Sequence, residues 1–373
     1  MKALFTALLL IASFSLFSQE ITFRKNPSRY ILGTQQDRTA SIGLGDIDND
    51  GDMDAILANG RHWAQQNLVF FNNGRGIFTV GQPLDITWET SYATEIADLD
   101  GDGDLDVAVG NDMAPNILYF NDGTGNFKRG GSFGEKYSPT RNLTVADLDQ
   151  DGDMDILITN RGAQNEICLN DGTGKFERII NFGANRDSTI HVEVADMDAD
   201  GDNDLILANR DGGPNFVYIN DGKLGFDQKI PFGTGTDETR AVAVGDINGD
   251  GINDIITANI GEPNVIYFGN GKLDFSSKII FDDTKANSYS ISTGDLDKDG
   301  DIDIVIANSN GVNMVFQNDG NGANWVQSIL SDQKLDTYDI IIDDINGDGN
   351  LDILEANSDA RNFFYMNTTK INK

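Results

Sequence analysis

The residues best equipped for chemistry in this chain are aspartates, and they recur at fixed spacing. The string Asp-x-Asp/Asn-x-Asp-Gly-x-x-Asp begins at Asp46, Asp98, Asp147, Asp196, Asp246, Asp295 and Asp344. Counted from its first residue, each copy offers side-chain oxygens at positions 1, 3, 5 and 9. These are Asp46, Asp48, Asp50 and Asp54; Asp98, Asp100, Asp102 and Asp106; Asp147, Asp149, Asp151 and Asp155; Asp196, Asp198, Asp200 and Asp204; Asp246, Asn248, Asp250 and Asp254; Asp295, Asp297, Asp299 and Asp303; and Asp344, Asn346, Asp348 and Asp352. A turn presenting carboxylates at alternate residues can wrap a hard cation, and calcium takes about six to eight oxygens at about 2.3–2.6 Å. Position 6 is always glycine, as a sharp reversal requires. Position 7 varies among Asp52, Ile252 and Asn350, which suits a place where the backbone carbonyl is the ligand. The pattern predicts up to seven Ca²⁺ ions, bound more weakly where Asn248 and Asn346 replace a carboxylate. An EF-hand would place Glu at position 12 between helices. Here that position is apolar, Leu57 and Val109 in the first two copies.

Two further registers accompany the turns. Seven residues before each stands a hydroxyl: Thr39, Ser91, Thr140, Thr189, Thr239, Ser288 and Thr337. Five residues after each last Asp stands an asparagine: Asn59, Asn111, Asn160, Asn209, Asn259, Asn308 and Asn357. Side chains repeated in every copy suit backbone hydrogen bonds at strand ends. Positions that vary within the frame are better ligand candidates. Directly after the hydroxyls come Ala40, Tyr92, Arg141, Ile190, Arg240, Tyr289 and Tyr338. Tyr92, Tyr289 and Tyr338 could stack on sugar rings, while Arg141 and Arg240 could grip carboxylates or sulfates. They could equally cap a channel against solvent. His191, with Glu193 in the same strand, raises a catalytic alternative. There Arg141 or Arg240 neutralises a uronate carboxylate while His191 or Tyr92 moves the proton in a β-elimination. His62 and Trp63 lie in a longer insertion, Gly60 to Gln66, that departs from the repeat.

The elements that must hold these residues follow from the period. Successive turns start 49 to 52 residues apart, a length that fits one four-stranded propeller blade. Each turn lies between an alternating run such as Ala241–Gly245 and an apolar run such as Ile255–Ala258. A third strand opens on Asn, as at Asn116, and a fourth on an aromatic: Phe78, Phe127, Phe176, Phe226, Phe275 or Trp325. Tyr119, Tyr218, Tyr267 and Tyr365 suit packing between blades. Helical periodicity is absent after the first residues. The expected fold is an all-β, seven-bladed β-propeller, residues 19–373, with Ile21 to Leu32 supplying the fourth strand of the last blade.

Residues 1–18 read as a signal peptide, with Lys2 ahead of the apolar run Ala3–Phe17. The expected location is therefore secreted, periplasmic or cell-surface. The single Cys168 allows no internal disulfide, so calcium is the expected staple. A net charge of −33 argues against nucleic acid and anionic membrane surfaces. No later run is long enough for membrane insertion, and a monomer is expected.

The seven acidic turns in register resemble the FG-GAP or VCBS repeats, and the turn resembles the calcium hairpins of the integrin α-subunit propeller. The resemblance covers residues 20 to 367 and implies a calcium hairpin between the first and second strands of each blade, opposite the ligand face. It implies ligands at positions 1, 3, 5 and 9, and no particular activity. The integrin legs have no counterpart, so cell adhesion does not carry over. The functional expectation is a non-catalytic module binding an extracellular glycan or protein, or alternatively a polysaccharide lyase or an architectural repeat in a surface complex.

Overall fold

The computed structural model describes residues 20–26 and 28–370. The expected signal peptide lies outside them. Among the described residues there are 29 strands and no helix, so none is long and apolar enough to cross a membrane.

Each acidic turn forms the hairpin between a first and a second strand. Pairing of Thr189–Ala195 with Asp204–Asn209 is typical, and Asn215–Ile219 and Gln228–Phe232 extend that sheet outward. Five sheets contain four such strands, and a sixth sheet contains nine. The first strands are Thr39–Gly45, Ser91–Ala97, Thr140–Ala146, Thr189–Ala195, Thr239–Gly245, Ser288–Gly294 and Leu335–Asp343. Each contacts the next, and Leu335–Asp343 contacts Thr39–Gly45, so they form a closed ring. This is a β-propeller.

The second strands are buried along their length, as in Asp204–Asn209 and Asp254–Asn259. That explains their near-continuous Val, Ile, Leu and Ala composition, because both faces pack against neighbouring sheets. Apolar clusters lie between adjacent sheets: Ile255 and Tyr267 of one pack with Ile206 and Phe232 of the preceding one. The third-strand tyrosines serve this packing, with Tyr267 edge-on to Phe232 at 5.7 Å between ring centres. Buried Cys168 belongs to the same kind of layer, and burial pushes its thiol up to about 12.

The N-terminal segment pairs with the last strand, as expected, but in two short pieces. Phe23 and Arg24 pair with Asn367 and Met366, and Ile31 and Leu32 with Phe363 and Asn362. Fourth strands open on the expected aromatic only at Phe127 and Trp325. Phe176, Phe226 and Phe275 lie two or three residues ahead of Arg178–Phe182, Gln228–Phe232 and Lys278–Asp282, and in the first sheet the strand shrinks to Gln82–Pro83 with Phe78 before it. Proline offers no N–H to a ladder, so the pairing is short.

Candidate functional site

The acidic hairpins are built by hydrogen bonds from their own backbone. In the first, the N–H of Asp50 donates to Asp46 Oδ1 at 3.1 Å and that of Gly51 to Oδ2 at 3.0 Å. The same pair recurs around Asp147 and Asp196. The chain reverses at position 6 with φ of 92° at Gly51 and 98° at Gly201. A Cβ at Gly51 would meet nothing within 4 Å, so glycine is demanded by conformation and not by space. Position 4 is also left-handed, including the non-glycine residues Asn49, Gln150, Ala199 and Lys298.

Position 9 plays a different part. Asp54 is buried, and its oxygens accept from the N–H groups of Asn72 at 2.7 Å and Ile47 at 3.3 Å. Asp106, Asp155, Asp204, Asp254 and Asp303 repeat this double grip. Asp352 takes one backbone N–H from Asn367 and the Asn346 amide. Burial, aided by neighbouring aspartates, raises these carboxyls, Asp54 to about 7 and Asp303 to about 8. Asp48, Asp100, Asp149 and Asp198 at position 3 are raised by burial and then by the adjacent position-5 charge. Such clustered, uncompensated negative charge is what a divalent cation relieves.

Oxygens of three carboxylates lie within 4.8 Å of one another in five hairpins. Positions 1, 3 and 5 meet at Asp46 and Asp295, whereas positions 1, 3 and 9 meet at Asp98, Asp147 and Asp196. Among the described residues no such trio forms at Asp246 or Asp344, where Asn248 and Asn346 stand at position 3.

At the opposite end of the ring lies the channel mouth, and a β-bulge shapes it. In every first strand the ladder slips between the hydroxyl residue and the second residue beyond it: Thr39/Ser41, Ser91/Ala93, Thr140/Asn142, Thr189/His191, Thr239/Ala241, Ser288/Ser290 and Thr337/Asp339. The skipped residue is Ala40, Tyr92, Arg141, Ile190, Arg240, Tyr289 or Tyr338. A bulged residue escapes strict alternation, so it and its successor can both line the mouth. Tyr92, Arg141, His191, Arg240, Tyr289 and Tyr338 accordingly surround one cavity of about 60 Å³.

The hydroxyls and asparagines hold this frame. Thr39 Oγ1 donates to Asn59 Oδ1 at 2.7 Å and Thr337 Oγ1 to Asn357 Oδ1 at 2.7 Å. The asparagine opening the third strand then reaches forward to the next sheet, as Asn165 Nδ2 does to Thr189 Oγ1 at 2.9 Å.

Within the mouth the aromatic and cationic groups pair off. The Arg141 guanidinium lies 4.5 Å from the Tyr92 ring centre, that of Arg61 3.9 Å from Tyr338, and that of Arg240 5.6 Å from Tyr289. Tyr289 and Tyr338 meet edge to face at 4.9 Å. Tyr92 Oη lies 2.9 Å from His62 Nε2, and Arg61 also hydrogen-bonds Tyr338 Oη. His191 sits deeper and accepts from the Val242 N–H at 3.4 Å. Burial, then the Arg240 charge, lowers its pKa to about 4, so it is neutral. Below it the channel widens to about 350 Å³ beside Glu95 and Asp339.

Sequence reasoning did not single out Arg61, Asp112 or Asp336. The first stands in the insertion that breaks the repeat. The second directly follows a register asparagine, a variable position comparable to the one after the hydroxyls, and that was the available signal.

A model of the FG-GAP-like repeat matches six overlapping stretches, residues 46–109, 98–158, 147–207, 196–257, 246–306 and 295–355, each running from one acidic hairpin into the next. The chain belongs to the FG-GAP-like repeat family. A search of curated proteins returned no match. Among solved structures, the FG-GAP-like ring is similar to BBS1N, crystallised in complex with ARL6DN and soaked with mercury, at 12% identity and TM-score 0.63, over 94% of this chain and 98% of that one. It is also similar to YCF48 from Cyanidioschyzon merolae, at 11% identity and TM-score 0.56, over 92% and 98%. At such identity these likenesses establish the fold alone.

Proposed function

We propose that this protein is an exported, calcium-stabilised propeller of seven blades that binds an extracellular glycan or protein at its channel mouth without catalysis. The blade count is supported by the ring of first strands, and the nine-stranded sheet reads as two blades joined by one contact. That contact pairs Ser309 with Asp336 and Gly311 with Leu335. Elsewhere the same neighbours meet only through single bridges, such as Asp112 with Pro139 and Arg161 with Ser188. An over-long second strand, Asp303–Gly311, lengthens the bridge into a ladder.

Calcium is the ion that suits the hairpins, since the donors are all oxygens and three meet in five of them. Positions 1, 3, 5 and 9 would hold it, positions 1, 3 and 5 converging at Asp46 and Asp295 and positions 1, 3 and 9 at Asp98, Asp147 and Asp196. The cation would supply charge neutralisation there.

One observation carries the binding reading. The side chains that vary between repeats, Tyr92, Arg141, Arg240, Tyr289 and Tyr338, all line a single cavity, whereas the invariant ones are spent on structure. A protein ligand is in keeping with the complex formed by the structural relative BBS1N with ARL6DN. Binding to a glycan array that disappears in a Tyr92, Tyr289 and Tyr338 triple alanine variant, with folding retained, would support this reading. Unchanged binding by the variant would refute it.

A second reading, a polysaccharide lyase, draws on the contact of Tyr92 Oη with the His62 ring beside Arg141. That arrangement places a phenol and a base next to a guanidinium. Incubation with uronate polysaccharides, followed at the absorbance of unsaturated ends, decides it: no signal removes the lyase.

A further inference from the structure

Three guanidiniums reach the mouth, and two of them already hold a carboxylate. Arg141 Nη1 lies 2.7 Å from Asp112 Oδ1, and Arg61 Nη2 lies 3.4 Å from Asp336 Oδ2. Among the described residues the Arg240 guanidinium has neither ion pair nor hydrogen bond, and its contact is with the Tyr289 ring. Asp339 is the acid whose field reaches it. That carboxylate is already occupied, accepting from Ser290 Oγ at 2.8 Å and from the N–H groups of Ile340 at 2.9 Å and Ile42 at 3.2 Å.

Arg240 is half-buried, and its guanidinium nitrogens are not among the buried atoms left without a partner, so its donors remain open to a ligand. Burial does lower the Arg240 pKa, to about 10, which leaves it charged at neutral pH. Next to it is the cavity of about 60 Å³. Tyr289, Tyr338 and His191 face the same space as Arg240, so a carboxylate placed there would meet the guanidinium fork.

We propose that Arg240 anchors a single carboxylate of a uronate-containing glycan, seated in the mouth cavity between Tyr289, Tyr338 and His191. The inference rests on reading the mouth as the ligand face and names the ligand class. The planar guanidinium fork matches a carboxylate. Tyr and Arg are also the residue types enriched at protein interfaces, so an acidic peptide is the competing occupant that the test must separate from a saccharide.

The test is calorimetric titration of the full chain in millimolar calcium with galacturonate, glucuronate and mannuronate oligosaccharides, their methyl esters, and a hexaglutamate peptide. Wild type is expected to bind one free-acid saccharide at least about tenfold more tightly than its ester, as for loss of one charge-assisted contact. Arg240→Gln is expected to erase that preference at an unchanged melting temperature, and Arg240→Lys to restore part of it. An Arg240→Gln variant that folds and keeps the acid preference overturns the proposal, as does tighter binding of the peptide than of any saccharide. Equal binding of acid and ester by wild type removes the anchor while leaving the glycan reading intact. Failure of wild type to bind any of these probes removes both.

Discussion

Asn362 Nδ2 donates to Thr39 Oγ1 at 2.9 Å, tying together residues 323 apart in the chain. The bond is the counterpart of Asn165 to Thr189 and Asn264 to Ser288 between consecutive sheets, except that here it closes the ring. Asn362 also accepts the Asn357 N–H at 2.7 Å. Replacing Asn362 with Ala strands the buried Asn357 N–H and removes one of the two bonds at Thr39 Oγ1, which still donates to Asn59, and an unsatisfied buried group costs about 1–3 kcal/mol. We expect a loss of that order in urea unfolding, as large as for Asn264→Ala. A negligible change would show that closure rests on the N-terminal strand alone.

Calcium removal tests the hairpins. At about 10 mM Ca²⁺ and affinities of about 10⁻⁴–10⁻³ M, each occupied hairpin contributes about 1.5–3 kcal/mol by mass action. Excess chelator is expected to lower the melting temperature by several degrees or more. Asp50→Ala should remove one ion from the elemental count, while Asp250→Ala, beside Asn248, should remove less. A melting temperature indifferent to chelator would rule out calcium as the staple.

Position 4 of the hairpins predicts a gain in stability. Ala199 has φ of 63°, and a left-handed conformation costs a non-glycine residue about 1–2 kcal/mol. Gly101, Gly249 and Gly347 occupy the same place in other hairpins. Ala199→Gly is expected to stabilise by up to about 1 kcal/mol, less than the full strain because glycine also loosens the unfolded chain. Denaturant titration reads this directly, and a loss would contradict it.

The channel predicts a pH dependence. Burial, then the charges of Asp339 and Glu193, pushes Glu95 up to about 8 from an ordinary 4.5. Between these values the folded state holds a proton that the unfolded chain releases, so this group's contribution to stability falls as pH rises from 4.5 to about 8. Glu95→Gln mimics the protonated form. The variant should exceed wild type by at least about 1 kcal/mol near pH 9 and match it near pH 4. Comparing the two proteins at each pH cancels the titration of the hairpins, and a constant difference across the range would exclude the effect.

Much of this molecule was legible in its residues. Local spacing alone revealed the acidic hairpins, the strand pattern and the pairing of Ile21–Leu32 with the end of the chain, because each depends on neighbours in sequence or on a fixed period. The hydroxyl and asparagine registers were also correctly legible as structural, since a side chain present in every repeat answers a need present in every repeat. What only the tertiary structure decided is which mouth residues neutralise one another. Arg141 meets Asp112, and Arg61 meets Tyr338 at a separation of 277 residues, and these encounters depend on the bulge and on the curvature of the ring. Arg141 and Arg240 occupy equivalent positions in their repeats, yet one is paired and the other is left facing the cavity. No spacing rule distinguishes them, because charge compensation is set by distance through space and not along the chain.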